Sequence, residues 1–276
     1  MSLGQLNIYG KDRVQVAIDR IKSFEPPEGY FLAFSGGKDS VCVKALADMA
    51  GVKYDAHYNV TTVDPPELVQ FVKTFPDVQF DREHWTRDGK YHKAGDPVTM
   101  WNLIPYEKFP PTQVFRFCCK YLKERSGVGR FTMTGVRWAE GARRAHSRSG
   151  LEFGDDRRDK ADPDNPDQEL IHLCMMKKQR VLNPIIDWSD EDVWEFIKGY
   201  NLRYCKLYDE GFDRLGCIGC PMGRLEERRM QFERYPKIEQ AYKRAIGRAI
   251  EARKEAGLEI RYETVDEWFD WWMTKI

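Results

Sequence analysis

Between Arg13 and Phe24 apolar and charged residues alternate at helical spacing, which predicts an amphipathic helix that Pro26-Pro27 ends. The pattern then changes to the apolar run Tyr30-Phe31-Leu32-Ala33-Phe34, read as a buried strand, followed by a glycine turn and a helix-like stretch from Val41 to Ala50. Tyr54 to Val60 reads as a second strand, and Asp64-Pro65-Pro66-Glu67 as the start of a helix over Leu68 to Thr74, since proline is tolerated in a first turn. Val78 to Phe80, Phe131 to Gly135 and Arg180 to Pro184 predict further strands, the last leading to a helix opened by Ser189-Asp190-Glu191-Asp192 and carried by Val193, Trp194, Phe196 and Ile197. Strands alternating with helices predict an α/β fold, a Rossmann-like parallel sheet flanked by helices. Ligands of such sheets bind at the carboxyl ends of strands, where the loop at Ser35 and the segments after Val60 and Gly135 converge.

The loop Ser35-Gly36-Gly37-Lys38-Asp39-Ser40 lies between a strand and a helix start. Glycines let a backbone approach a phosphate, the first N–H groups of a helix lack internal partners, and Lys38 with the two serines adds a charge and hydroxyl donors. It is not a Walker A loop, because its glycines are adjacent and Asp39 follows the lysine. Asp39 is a candidate to help hold Mg²⁺, and equally a carboxylate favoured by the helix dipole. Arg137, directly after a strand, is a candidate phosphate contact, and Glu140, Arg143, Arg144, His146 and Arg148 form a polar cluster behind it that also reads as a solvated charge run. Asn59, Thr61, Thr62 and Asp64, after the second strand, are candidates for the nucleotide or acceptor pocket, or simply a polar loop.

A chain of 276 residues, 42% hydrophobic, is long enough for one large α/β core with an appendage or for two small domains. Its 44 basic and 44 acidic residues cancel, so no global field selects nucleic acid or an anionic membrane. No segment approaches the roughly twenty apolar residues of a membrane span, and the expectation is a cytoplasmic protein. A charged insertion near 143–169, dense in charge, Pro and Gly, is expected to be a surface loop or a mobile insertion. From Gly223 the chain is polar and helical, ending in Trp268, Trp271 and Trp272, an aromatic tail read as packing onto the core.

Seven cysteines supply the second signal. Cys118 and Cys119 are adjacent, Cys217 and Cys220 form a Cys-x-x-Cys, and Cys42, Cys174 and Cys205 stand apart. Four thiolates suit either a 4Fe-4S cluster or a structural zinc, and an adjacent pair, strained as a zinc chelate, leans towards iron–sulfur. Cys42 and Cys174 read as inert buried thiols; Cys205 is an alternative fourth ligand.

Ser-Gly-Gly-Lys-Asp-Ser resembles the PP-loop of the adenine nucleotide α-hydrolase-like enzymes, which hold the pyrophosphate end of ATP while cleavage occurs at the α-phosphate. With Phe117-Cys118-Cys119-Lys120, Thr134-Gly135-Val136-Arg137-Trp138-Ala139-Glu140, Asn183-Pro184-Ile185-Ile186-Asp187-Trp188-Ser189 and Gly216-Cys217-Ile218-Gly219-Cys220-Pro221 in that order, the chain resembles the phosphoadenosine-phosphosulfate reductase family, in its double-cysteine, cluster-bearing branch. The resemblance covers a nucleotide-binding domain over 28–222, which leaves the N-terminal helix in 1–27 and a helical C-terminal extension over 223–276. It implies that Ser35, Gly36, Gly37, Lys38, Asp39, Ser40, Gly135, Arg137 and Arg144 bind nucleotide, that Lys38, Asp39 and Arg137 are catalytic, and that Cys118, Cys119, Cys217 and Cys220 hold the cluster. The sulfonucleotide reductases of that family attack sulfate with a cysteine near the C-terminus, and here no cysteine follows Cys220. The expected activity is therefore cleavage of ATP, or of an adenylyl sulfonucleotide, at the α-phosphate, with Mg²⁺, to activate an acceptor for sulfur transfer. Thiol-dependent sulfite release and non-catalytic nucleotide binding by an iron–sulfur or zinc protein are the alternatives. The acceptor, nucleic acid or small molecule, and a sulfur-donor protein are the partners this leaves open.

Overall fold

The structure, a computed structural model, describes residues 12–153 and 180–274. The chain divides into two compact units. One comprises the described residues of Met1–Tyr58, Glu67–Phe80 and Gly127–Leu215, the other Asn59–Pro66, Asp81–Ser126 and the described part of Gly216–Ile276.

The first unit is built on strands β1 (Tyr30–Ala33), β2 (Tyr54–Asn59), β3 (Val78–Asp81), β4 (Phe131–Met133), β5 (Leu151–Phe153) and β6 (Arg180–Leu182), in the order β3-β2-β1-β4-β6-β5. β1 runs parallel to β2 and β4, with Tyr30 opposite Tyr54 and Phe31 opposite Thr132, and β4 runs parallel to β6. Because β1 is central, Tyr30, Phe31 and Leu32 are all buried, as an apolar run flanked on both faces requires. Helix α1 (Arg13–Ser23) has an Asp12 cap and turns Val14, Ala17, Ile18 and Ile21 inward against α2 (Lys38–Ala50).

The expectation of a surface loop throughout the charged insertion needs correction. Leu151–Phe153 forms an edge strand, antiparallel to β6 with Leu151 opposite Leu182. Its anchor is polar: the Asn183 amide donates to Glu152 Oε1 at 2.9 Å and to the Ser149 carbonyl at 2.8 Å. Residues 154–179, with Cys174 and the rest of the insertion, lie outside the described residues.

The second unit is helical: α4 (Met100–Glu107), α5 (Phe117–Leu122), α8 (Leu225–Arg234), α9 (Pro236–Glu255) and α10 (Val265–Thr274). Helices α3 (Pro66–Val72), α6 (Ala142–Ser147) and α7 (Asp190–Gly199) complete the sequence of elements. The aromatic tail is core here, as expected: Trp268, Phe269 and Trp272 are buried with Phe232 and Tyr242, and the Trp272 indole donates to the Pro111 carbonyl at 2.6 Å. Polar indole tips need such a partner when buried. Among the described residues, no helix is long and apolar enough to cross a membrane.

Candidate functional site

Two clusters of chemistry-bearing residues emerge, one in each unit. In the first, β1 delivers the chain to Gly36, whose φ of 76° is a left-handed conformation that glycine adopts without strain. A Cβ there would meet Val72 Cγ2 at 2.6 Å and Leu68 Cδ1 at 2.9 Å, so the turn lies flush against α3. Gly37 precedes α2 without a side-chain cap, which leaves the first turn's N–H groups to other partners. Ser35 and Ser40 brace the loop: the Gly37 N–H donates to Ser35 Oγ at 3.4 Å and Ser40 Oγ donates to the Gly37 carbonyl at 2.9 Å.

Lys38 is buried and doubly held, its Nζ 3.3 Å from the Asp213 carbonyl and 3.3 Å from Asp190 Oδ1. Its backbone N–H donates to the Tyr208 hydroxyl at 2.9 Å, on a position where a bound phosphate oxygen would accept. Arg137 is only 1% exposed. Its Nε donates to Asp39 Oδ1 at 2.6 Å, its Nη2 to Asp190 Oδ1 at 2.7 Å and its Nη1 to the Trp188 carbonyl at 3.1 Å. Asp190 is thus shared between Lys38 and Arg137. Burial pushes its carboxyl up, but the Arg137 hydrogen bond and the Lys38 charge prevail and hold it below the usual range. At Asp39 the balance reverses, and burial holds the carboxyl up against Arg137 and Lys38. Gly135 makes this approach possible, because a Cβ there would lie 2.9 Å from the Asp39 carbonyl carbon.

The structure therefore brings Ser35, Gly36, Gly37, Lys38, Asp39, Ser40, Gly135 and Arg137 into one neighbourhood. The Arg144 side chain lies outside the described residues. Asp190 and Tyr208 are what sequence reasoning missed. In the sequence Asp190 reads only as part of a helix start, and no spacing rule ties it to a lysine 152 positions away.

The second cluster joins the four cysteines. The Cys118 thiol hydrogen-bonds to Cys119, which raises Cys118, and it lies within the electrostatic reach of Cys217 and Cys220. Cys119 is lowered, first by that hydrogen bond and further by Lys123 and Arg116. Burial pushes Cys217 up to about 12, countered by Lys123 and by a hydrogen bond with Thr61. The Lys123 ammonium, also missed at the sequence level, is held in its charged form chiefly by Cys217 and then by Asp64, Cys119 and Cys220. Cys205 is 1% exposed, and the charged groups around it are Glu67, Lys206 and Glu210. Cys42 is fully buried.

The Cys-x-x-Cys turn is fixed from below. The Ile218 N–H donates to the Val63 carbonyl at 2.8 Å, the Gly219 N–H to Gln231 Oε1 at 2.8 Å, and the Tyr242 hydroxyl to the Ile218 carbonyl at 3.0 Å. Among the described residues, no three His, Cys, Asp or Glu side chains converge tightly enough to hold a single metal ion. Cys118, Cys119, Cys217 and Cys220 would be the residues to supply soft thiolate donors, the type that suits zinc or an iron–sulfur cluster.

A mostly parallel α/β sheet whose first strand turns through two glycines into a lysine-bearing helix start defines a nucleotide-binding domain. The chain belongs to the phosphoadenosine phosphosulfate reductase domain family, whose pattern matches residues 29–222. Among its relatives, an uncharacterized protein of Methanocaldococcus jannaschii, MJ0973, is 27% identical over 215 residues, 75% of this chain and 44% of that protein. The chain thus spans less than half the length of that relative. An adenosine 5'-phosphosulfate reductase of Oceanobacillus iheyensis is 38% identical over 85 residues, 30% of this chain and 28% of the enzyme. A phosphoadenylyl-sulfate reductase structure from Candida auris aligns with a TM-score of 0.46 at 12% identity, covering 73% of this chain and 87% of that one.

Proposed function

We propose that the chain is a nucleotide-transforming enzyme that holds ATP or an adenylyl sulfonucleotide at the loop Ser35 to Ser40. It cleaves at the α-phosphate to activate an acceptor for sulfur transfer, and Cys118, Cys119, Cys217 and Cys220 carry a 4Fe-4S cluster. The observation that carries this reading is the loop: Gly36 at φ 76° turns a central parallel strand directly into a helix N-terminus beside the Lys38 ammonium.

An acceptor oxygen bonds to the α-phosphorus while the bond from that phosphorus to the bridging oxygen breaks. Its electron pair leaves with pyrophosphate when the nucleotide is ATP, or with sulfate when it is an adenylyl sulfonucleotide, and the acceptor's proton passes to solvent. A sulfur nucleophile then displaces AMP from the adenylylated acceptor. The protein's part is positioning and charge neutralisation. Lys38 leaves Asp190 for the β- and γ-phosphates, the helix N–H groups meet the growing charge once the Tyr208 hydroxyl yields its place, and Arg137 holds Asp39 in register through the 2.6 Å bond. Mg²⁺, when bound beside Asp39, supplies further neutralisation of the leaving pyrophosphate. A 4Fe-4S cluster, when bound, supplies a redox-active, thiolate-ligated iron centre for the sulfur half of the reaction.

The relatives named adenosine 5'-phosphosulfate reductase favour a second reading, thiol-dependent sulfite release. Residues 221–276 contain no cysteine, and Cys174 lies outside the described residues. Cys42 and Cys205 are buried, and burial raises both thiols, the opposite of what a nucleophile needs. Pyrophosphate release from ATP, with candidate RNA, DNA or small-molecule acceptors added in turn, is the expected result. Sulfite from adenylyl sulfate plus a dithiol, without pyrophosphate from ATP, would transfer the case to the second reading.

A further inference from the structure

The nucleotide loop is not bare, because a side chain of its own unit sits on it. Tyr208 ends a 3₁₀ turn, Lys206–Tyr208, whose Cys205 cap and Leu207 are buried. The chain leaves that turn through Gly211 at φ 91°, and the Phe212 N–H donates back to the Leu207 carbonyl at 3.1 Å. The Tyr208 ring makes a T-shaped contact with Trp194, centroids 5.1 Å apart at 86°. This mounting carries the hydroxyl to the start of α2, where it accepts the Lys38 N–H at 2.9 Å. It lies so near the turn that a Cβ on Gly37 would be 3.5 Å from it, and the Lys38 ammonium stands 5.7 Å from the ring centroid.

The first N–H groups of a helix are what a phosphate oxygen takes when it binds there. The phenol is a weaker occupant of the same position. Burial raises it, so it stays neutral, and among the described residues nothing accepts its proton. A phosphate oxygen is charged, and a hydrogen bond to a charged acceptor is roughly twice as strong as a neutral one. The hydroxyl therefore satisfies a donor that would otherwise be orphaned in the empty loop, and it gives way to a polyphosphate.

We propose that Tyr208 is a resident competitor for phosphate at the nucleotide loop: its hydroxyl stabilises the empty loop, weakens polyphosphate binding, and by returning to the Lys38 N–H helps pyrophosphate to leave. This rests on the reading that the loop holds phosphates, and it names the group that limits how tightly. A neutral hydrogen bond of ordinary net strength corresponds to about fivefold in an equilibrium constant, and that is the affinity the hydroxyl withholds. The effect is selective. Only a ligand that brings a phosphate oxygen to the Lys38 N–H has to evict the phenol, so adenosine is not penalised.

The test is calorimetric titration of the full chain, wild type and Tyr208→Phe, with ATP, pyrophosphate and adenosine in the presence of Mg²⁺, beside the melting temperatures of the empty proteins. Phenylalanine keeps the ring against Trp194 and removes the hydroxyl alone. The expected result is a Y208F protein that melts below wild type when empty yet binds ATP and pyrophosphate at least threefold more tightly, with adenosine bound no more tightly than by wild type. ATP and pyrophosphate bound within threefold of wild type overturn the proposal and leave Tyr208 a brace of the fold. Binding at least threefold weaker also overturns it and makes the hydroxyl a donor to phosphate. An equal gain for adenosine overturns it as well, since no phosphate is involved. If Y208F does not fold, Tyr208→Leu, which also lacks the hydroxyl, is read by the same thresholds. Wild type and variant that both bind neither ATP nor pyrophosphate sink the phosphate reading of the loop, and the role of Tyr208 with it, whereas binding by wild type with no gain in the variant sinks that role alone.

Discussion

Arg137 offers the sharpest separation between a side chain that touches phosphate and one that builds the loop. In Arg137→Met the apolar stem survives and three hydrogen bonds are lost, two of them to carboxylates. Removing one partner of a buried ion pair costs about 3–5 kcal/mol, and of an exposed pair about 0–1 kcal/mol. The Asp39 side chain is 23% exposed and that of Asp190 59%, so the Asp39 half dominates. Asp39, already raised, escapes part of the penalty by taking up a proton, which places the loss near ~3 kcal/mol at neutral pH. At roughly 2–4 °C per kcal/mol, thermal unfolding falls by about 6–12 °C. The pH dependence has a definite sign. Without Arg137 the folded pKa of Asp39 rises further above its unfolded value, so the stability lost grows as pH rises and is smaller at pH 5 than at pH 8. Adding Asp39→Asn removes the stranded charge, and the double variant recovers at least ~1 kcal/mol relative to additivity. Calorimetric scans at two pH values, with ATP-analogue binding alongside, measure all of this. An R137M protein that unfolds within about 2 °C of wild type but binds nucleotide tenfold more weakly would refute the positioning role, and make Arg137 a direct phosphate contact.

Gly36→Ala must adopt a left-handed φ and drive a methyl group into Val72 and Leu68, so it loses roughly 2–4 kcal/mol and abolishes nucleotide binding; wild-type affinity in a folded variant contradicts the loop geometry. In metal-free protein Cys119 alkylates faster than Cys118 at pH 7, because its thiolate accepts from the Cys118 thiol and lies beside Lys123 and Arg116; mass spectrometry reads the order, and the reverse order refutes the pairing. Tyr242→Phe deletes the bond to the Ile218 carbonyl, costs about 1 kcal/mol and loosens metal retention; unchanged retention would detach that bond from the centre. Asp190→Asn loses an ionised form that the fold favours, so its stability deficit is full above the ordinary aspartate range of about 3.9 and shrinks as pH falls below it towards the depressed value; a deficit that does not shrink below that range argues against the pairing.

What could be read in advance was local. The phosphate loop is a nearest-neighbour object, in which a strand, a glycine turn and a helix start follow within about ten residues, and α1, β1 and α2 appear where apolar spacing places them. The edge strand Leu151–Phe153 was hidden because three residues in a charged stretch carry no period, and its stability comes from Asn183 and Arg148 gripping Glu152. The partners of Lys38 were hidden for a different reason: Asp190, Tyr208 and Asp213 reach it only through the fold. The same holds for Gln231 and Tyr242 beneath the Cys-x-x-Cys turn, whose polar atoms sit in a segment that reads as an ordinary amphipathic helix. Arg137 was legible as a residue beside the loop, but not in direction, since its position after a strand says nothing about the two carboxylates that receive its donors.

The central claim, a nucleotide loop allied to a four-cysteine cluster centre, is tested most directly by metal and sulfide analysis of the anaerobically purified chain beside Cys217→Ser. About four irons and four sulfides per wild-type chain, lost in the variant, is the predicted result. Stoichiometric zinc without sulfide, or iron retained by the variant, would contradict it.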